Sequence, residues 1–348
     1  MDEKIREILD KYSFNVASVC RGRGAYICST DQGLRIMREY FPAPSRLVFE
    51  SLVKYTIRDR GYMNVDQLVV NGEGELFTKN RYDKNFVVRE WFEGRECDMQ
   101  RPEDLTALAV NLAKLHKTMR KVPLSPEMAE KYTYGDTKMV LEKHCREMRS
   151  IRNYMKGCRQ KKAFENLYLE YYEIFARQAR DAVNALDDHD YRQLAERTRQ
   201  EHTLCHGDYN HHNVIIMKGQ TRERMAQDGH CLPVMATVNF DRMHINIQVN
   251  DLYLFLRKVM EKNSWNVDLG ISLVNAYDRE RPMSREEKKY LYILMLFPEK
   301  FWKIANHYYN TRKSWTCGRN QEKLEAFIHI RALREHFLEC FYKEYGKA

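Results

Sequence analysis

The chain has 348 residues, 43% apolar and 31% charged, with 58 Lys and Arg against 49 Asp and Glu for a net charge of +9. This composition excludes a disordered polymer and leaves room for two lobes, each with a core of its own. No stretch approaches the roughly 18 uncharged apolar residues of a membrane-spanning helix, and the charge suits a phosphate-bearing ligand or an acidic partner without by itself indicating nucleic acid.

The opening MDEKIREILDKYSFNV mixes charges throughout and lacks the apolar run of a secretory signal. Its spacing predicts a short amphipathic helix with Ile5, Ile8, Leu9 and Tyr12 on one face, in a chain expected to stay in the cytosol that makes it. The nine cysteines include no C-x-x-C pair, so neither a zinc site nor a disulfide framework is expected, only reduced, mostly buried thiols. Val16–Thr30 alternates apolar and polar residues around Arg21-Gly22-Arg23-Gly24, and Leu34–Tyr40 follows the turn Asp31-Gln32-Gly33. Ser45 opens a helix carrying Leu47, Val48, Leu52, Tyr55 and Ile57 and ending near Gly61. Strands are predicted at Gln67–Asn71 and Asn85–Trp91, with a Gly72-Glu73-Gly74 turn after the first. Together these predict a small, mostly antiparallel α+β lobe.

From Pro102 the pattern turns helical. Asp104 is expected to cap a run that buries Leu105, Leu108, Leu112 and Leu115. Residues 136–200 read as long charged helices with a solvated face, and the chain from Val249 onward as aromatic-rich helices. Within Lys300–Trp315, Trp302, Lys303, His307, Tyr308, Tyr309, Arg312 and Lys313 mix aromatic and basic groups that can stack bases. A packed helix with a polar back is the better reading. One break interrupts the helices: a loop His206–Asn213, an apolar strand Val214–Met217, a polar loop and a second strand Val234–Phe240.

That loop, Cys205-His206-Gly207-Asp208-Tyr209-Asn210-His211-His212-Asn213, carries the most chemistry. Phosphoryl transfer needs an acceptor hydroxyl oriented by a carboxylate, metal on the phosphates, and positive charge nearby. Asp208 can orient the hydroxyl and Asn213 can hold a metal. Alone, H-x-D-x-x-x-x-N is weak, since His, Asp and Asn also make ordinary turns; the strand, hairpin and acidic strand end that follow make it specific. His211 and His212 are candidates to touch substrate, and with no Cys or acidic residue at ligand spacing a metal site there is not expected.

His-Gly-Asp-x-x-x-x-Asn resembles the catalytic signature of the aminoglycoside phosphotransferase and choline kinase superfamily. The whole chain is similar to the CotS-type spore coat proteins, which share that fold. Trp91–Glu96, Leu112–His116, Val249–Arg257 and Phe297–Trp302 carry the longer resemblance. It implies an α+β, bilobal, protein-kinase-like fold, with a small β-rich N-lobe over residues 1–94 and a larger, mainly helical C-lobe over 95–348. It further implies Asp208 as the catalytic Asp, Asn213 as a metal ligand, and Asp251 as a brace behind the loop. Arg21–Ala25, with Gly22 and Gly24, would be the phosphate-covering loop, although the two glycines equally suit a plain hairpin turn. The backbone of Arg89–Glu93, Glu93 included, would read adenine.

Two positions depart from an active kinase. Arg38 stands where a lysine normally holds the α- and β-phosphates, and an Arg does not replace a point-charge ammonium freely. Glu50, the first acidic residue on its helix, is its expected partner, as a catalytic pair or a plain surface ion pair. Asn239 stands where an Asp normally chelates metal, and lacks the charge that favours Mg²⁺. If Val238–Asp241 is extended, Asp241 shares a face with Asn239 and partly replaces the missing ligand; otherwise it caps a turn. The resemblance therefore implies a spore-coat component that has weak or no catalysis, assembled from the mother-cell cytoplasm onto other coat proteins. The alternative is a working phosphotransferase using ATP and Mg. Nucleic-acid binding rests on charge and aromatics alone, and no membrane association is expected.

Overall fold

The computed structural model describes residues 3–22, 24–219, 223–224, 231–310 and 317–346. Helix α1 (Glu3–Leu9) buries Ile5, Ile8 and Leu9. Tyr12 lies past its last turn but joins the same cluster, which Phe14, Cys28, Met37 and Val88 complete. Strands β1 (Val16–Gly22), β2 (Ala25–Thr30) and β3 (Gly33–Glu39) form an antiparallel meander. Gly22 pairs with Ala25 across a two-residue turn in which Gly24 has φ +69°. Arg23 lies outside the described residues.

Helix α2 (Ser45–Asp59) follows, then β4 (Leu68–Val69), β5 (Thr78–Lys79) and β6 (Asn85–Glu90). The sheet order is β1-β2-β3-β6-β4, with β5 also on β6. Strand β4 is shorter than predicted because Asn71 turns the chain, its Oδ1 accepting from the backbone N–H of Glu73 and Glu75. Helix α2 opens at Ser45 as expected. Its buried face is Leu47, Phe49, Glu50, Val53, Lys54 and Ile57, while Val48 and Tyr55 are exposed. The core-facing stripe keeps the helical period, but two of its members are charged.

Strand β7 (Gly94–Glu96) leads to α3 (Pro102–Thr118), α4 (Pro126–Lys131), α5 (Thr137–Gly157), α6 (Ala163–Asn184) and α7 (His189–Gln200). Asp104 does not cap α3. Pro102 takes the first helical position, which suits a residue with no N–H, so Asp104 falls inside the first turn. From there it accepts from Asp98 N at 2.8 Å and from the Arg95 guanidinium. Leu105, Leu108, Leu112 and Leu115 are buried as expected. Next come β8 (Leu204–Cys205), β9 (Val214–Met217), β10 (Glu223–Arg224), β11 (Cys231–Leu232), β12 (Met235–Thr237) and β13 (His244–Ile245). Strands β7, β9 and β12 form a three-stranded antiparallel sheet. The rest is α8 (Val249–Lys262), α9 (Val267–Glu280), α10 (Arg285–Leu296), α11 (Glu299–Asn310), α12 (Cys317–His329) and α13 (Arg331–Phe341).

By compactness the chain divides into one unit of residues 1–131 with 202–244, and a second of 132–201 with 245–348. The sequence-based boundary after residue 94 follows composition instead. Pairing of β9 with β7, and of Thr237 with Asn64 and Val65, draws the loop segment into the first unit. In the second unit, Met148, Ile151, Tyr168, Phe175, Phe301, Ile304 and Phe327 belong to one core. Trp302 stacks on His144 at 3.5 Å and donates to Glu147, and Tyr308 stacks on Phe164 at 3.9 Å. These aromatics are spent on packing, as the packed-helix reading expects. Arg312, Lys313 and Trp315 lie outside the described residues.

Among the described residues, the thiols of Cys28, Cys97 and Cys205 are buried, Cys145, Cys158 and Cys340 are half-buried, and Cys20 is exposed. Among the described residues no helix is long and apolar enough to cross a membrane.

Candidate functional site

The loop from His206 to Asn213 is fixed at both ends. His206 is fully buried; its Nδ1 accepts from Asp208 N at 3.3 Å, so Nε2 carries the proton donated to the Val238 carbonyl at 3.1 Å. Gly207 has φ +78°, and a Cβ there would lie 2.2 Å from the Arg242 carbonyl oxygen, so only glycine fits. Tyr209 is buried and donates to the Leu108 carbonyl at 2.8 Å, and Asn111 ties Tyr209 to Thr237.

Inside this frame, Asp208 is held by amides. Asn210 Nδ2 donates to its Oδ1 at 3.0 Å and Asn213 Nδ2 to its Oδ2 at 3.2 Å, and both also donate to its carbonyl. Asn213 Oδ1 accepts from Asn239 Nδ2 at 3.1 Å. The Asn239 Oδ1 is buried with no hydrogen-bond partner among the described residues.

The segment after β12 is not extended. Asn239 is left-handed at φ 74°, and Phe240–Arg242 form a 3₁₀ turn. The two-residue alternation that would put Asp241 on the face of Asn239 therefore fails. Instead Asp241 gives one carboxylate oxygen to Arg38 and the other to Arg89, the latter at 2.9 Å. Glu50 is not the partner of Arg38. It accepts two hydrogen bonds from Arg89, both at 3.0 Å, and one from Lys54 at 2.6 Å. Lys54 also reaches Asp66 Oδ1 at 2.6 Å, and Asp66 Oδ2 accepts from Asn239 N at 3.0 Å. Three cations, Arg38, Lys54 and Arg89, thus balance three carboxylates, Glu50, Asp66 and Asp241. Burial alone would raise the Glu50 carboxyl, but Arg89 and Lys54 outweigh it and hold it down at about 2. Burial likewise opposes the charge on Arg89, and Glu50, Asp241 and Asp66 reverse that and hold its guanidinium above the ordinary value.

Arg89 and Lys54 carry this network, and sequence reasoning missed both. The i,i+4 spacing of Glu50 and Lys54 was the one available signal. A cavity of about 370 Å³ opens beside the network, lined by Ala25, Ile36, Arg38, Trp91, Asn213 and Asn239 among others. That is the size of a small-ligand pocket. Among the described residues, Gly22, Gly24 and Glu93 do not line it; Glu93 is exposed and pairs with Lys218 at 2.8 Å. A larger cavity of about 650 Å³ lies between the end of α2 and α3, away from Asp208. Asp251, the expected brace, is buried in the first turn of α8.

Magnesium is a hard cation that binds best to carboxylate oxygens. At the expected metal position the donors are the amide oxygens of Asn213 and Asn239. The first accepts a hydrogen bond from the second residue, and both oxygens of Asp241 are held by guanidinium groups. The unpartnered Asn239 Oδ1 offers one neutral ligand. This set does not fit a resident magnesium ion.

A β-rich N-terminal sheet, a helical remainder and a His-Gly-Asp loop between short strands define a kinase-like α+β fold of the phosphotransferase kind. The chain belongs to a spore coat kinase-like family: the family model described as "Spore coat putative kinase YutH" matches residues 5–341. It is 20% identical over 353 residues to spore coat protein S of Bacillus subtilis, covering 99% of this chain and 96% of that one. An aminoglycoside phosphotransferase from Alicyclobacillus acidocaldarius superposes with a TM-score of 0.83 at 17% identity, over 98% of this chain and 96% of that chain. A spectinomycin phosphotransferase, solved in complex with ADP and spectinomycin, gives a TM-score of 0.60 at 11% identity over 94% of each chain.

Proposed function

We propose that this chain is a spore-coat component that keeps the nucleotide pocket of the phosphotransferase fold without the anionic seat for a catalytic metal, and acts as a binding or scaffolding module. One observation carries this reading: the Asp241 carboxylate is spent on Arg38 and Arg89, leaving two linked asparagine amides where metal would sit. Arg38, which lines the cavity, is the cation that meets phosphate oxygens there, and Ala25 at the start of β2 lines the same cavity. The likeness to spore coat proteins supports assembly from the mother-cell cytoplasm onto other coat proteins.

A second reading, a working ATP- and Mg-dependent phosphotransferase, has its own support: one loop carries both Asp208 and Asn213, with Asn213 Nδ2 donating to the Asp208 carbonyl and carboxylate. A thermal-shift titration at millimolar ATP, with and without Mg²⁺ or Mn²⁺, separates the two. Ligand binding at concentrations well above Kd raises stability by mass action, about 2.7 kcal/mol at a hundredfold excess. The scaffold reading expects a shift with ATP that metal does not enlarge. No shift at all would remove the nucleotide pocket from the proposal. Transfer of the γ-phosphate that disappears in Asp208→Ala would establish the enzyme instead.

A further inference from the structure

The catalytic-type loop carries two adjacent imidazoles, His211 and His212, for which the nucleotide reading has no use. Pairing of β7 with β9 sets Glu96 opposite Ile215, two residues beyond the end of that loop. Gly94 permits this approach, because a Cβ there would lie 2.1 Å from the Ile216 carbonyl oxygen. The Glu96 carboxylate thereby reaches the loop. Its Oε2 lies 2.8 Å from His212 Nδ1, and the two histidine rings overlap with centroids 3.8 Å apart. One ligand atom from each of Glu96, His211 and His212 lies within 4.8 Å of the other two. The acidic partner that the sequence did not offer at ligand spacing comes from a strand more than a hundred residues away.

We propose that Glu96, His211 and His212 bind a first-row divalent transition ion of the zinc, cobalt or nickel kind. Ligand bonds of about 2.0–2.2 Å put the donors of a tetrahedral ion about 3.3 Å apart; the three donor atoms lie within 4.8 Å of one another, so they draw in by about 1.5 Å at most to close on an ion. Two imidazole nitrogens and one carboxylate oxygen select such an ion over magnesium or calcium, which prefer oxygen alone. The loop backbone is already fixed where the histidines leave it, since His212 N donates to Asn210 Oδ1 at 2.9 Å. Glu96 and His212 also line the cavity that Arg38 lines. Three protein ligands leave a coordination position for water or for an oxygen of a molecule in that cavity.

Cobalt(II) titrated into the intact protein tests this without reference to nucleotide or catalysis, because visible absorption reports the ligand type. The expected result is d–d absorption that saturates at one equivalent, shows no thiolate charge-transfer band and is displaced by zinc. Glu96→Gln and His212→Ala should each weaken cobalt binding about tenfold or more, while their metal-free melting temperatures show that the fold is intact. A thiolate band that places the ion on cysteine, equal affinity in both variants, or no binding at about 0.1 mM cobalt would overturn the proposal.

Discussion

Asn239 concentrates the difference between this site and one that handles metal. Its backbone is left-handed, its N–H is held by Asp66, its Nδ2 is given to Asn213, and its Oδ1 is buried without a partner among the described residues. A carboxylate in the same place would add the charge a hard cation needs, beside an amide oxygen that can share the ion. Asn239→Asp is therefore expected to make nucleotide stabilisation depend on magnesium. The difference in melting temperature between ATP with Mg²⁺ and ATP alone should rise in the variant and stay near zero in the native chain. An unchanged difference would mean that the guanidiniums on Asp241, rather than the missing charge at 239, close the metal position. Asp208 differs from Asn239, with both carboxylate oxygens held by the amides of Asn210 and Asn213.

Helix α2 shows how one element carries both core and charge. Its buried stripe holds Glu50 and Lys54, one turn apart, and Arg89 of β6 closes on Glu50 from the sheet. Removing one partner from such a buried set leaves an uncompensated charge, which costs about 3–5 kcal/mol. Glu50→Gln is expected to lose stability in that range by urea denaturation at neutral pH. Acid should shrink the difference. The Glu50 carboxyl is held down at about 2 in the fold, against about 4.3 in an unfolded chain. Its contribution is therefore complete above the unfolded value and is lost as pH falls through the folded one. The gap between native and Glu50→Gln stability should narrow between about pH 4.3 and pH 2; a constant gap would show that the network does not depend on that ionisation. Arg38 belongs to the same set only through Asp241, so Arg38→Ala should disturb α2 less than Glu50→Gln, which the same urea curves measure.

At the scale of the whole molecule, the cysteines give a simple check. Burial raises the Cys28 thiol to about 11 and the Cys97 thiol to about 12, while Cys20 is exposed. Alkylation of the native protein near pH 8 is expected to mark Cys20 and spare Cys28, Cys97 and Cys205, as mass spectrometry of the peptides would show; rapid marking of Cys97 would contradict its burial. The fold class was legible because strand alternation, turn residues and leucine periodicity are local signals, and each sits where β1 to β3, β9 and α3 form. The loop that holds Asp208 and Asn213 was legible because it is one short stretch between two strands. Other features had no local signature. The ion pairs of Arg89 and Asp241 join β6 to the turn after β12, and the approach of Glu96 to His212 depends on which strands pair. Glu50 does not meet Arg38 because Arg89 and Lys54 take it up, and Asp241 does not share the face of Asn239 because Asn239 adopts a left-handed backbone that no alternation rule anticipates. By itself, the sequence determined the order of strands and helices and the loop among them, since short-range spacing encodes both, and its family resemblance implied the architecture they build. Tertiary structure alone decided which charges meet, because only the folded chain brings carboxylates, guanidiniums and imidazoles from distant strands within bonding distance.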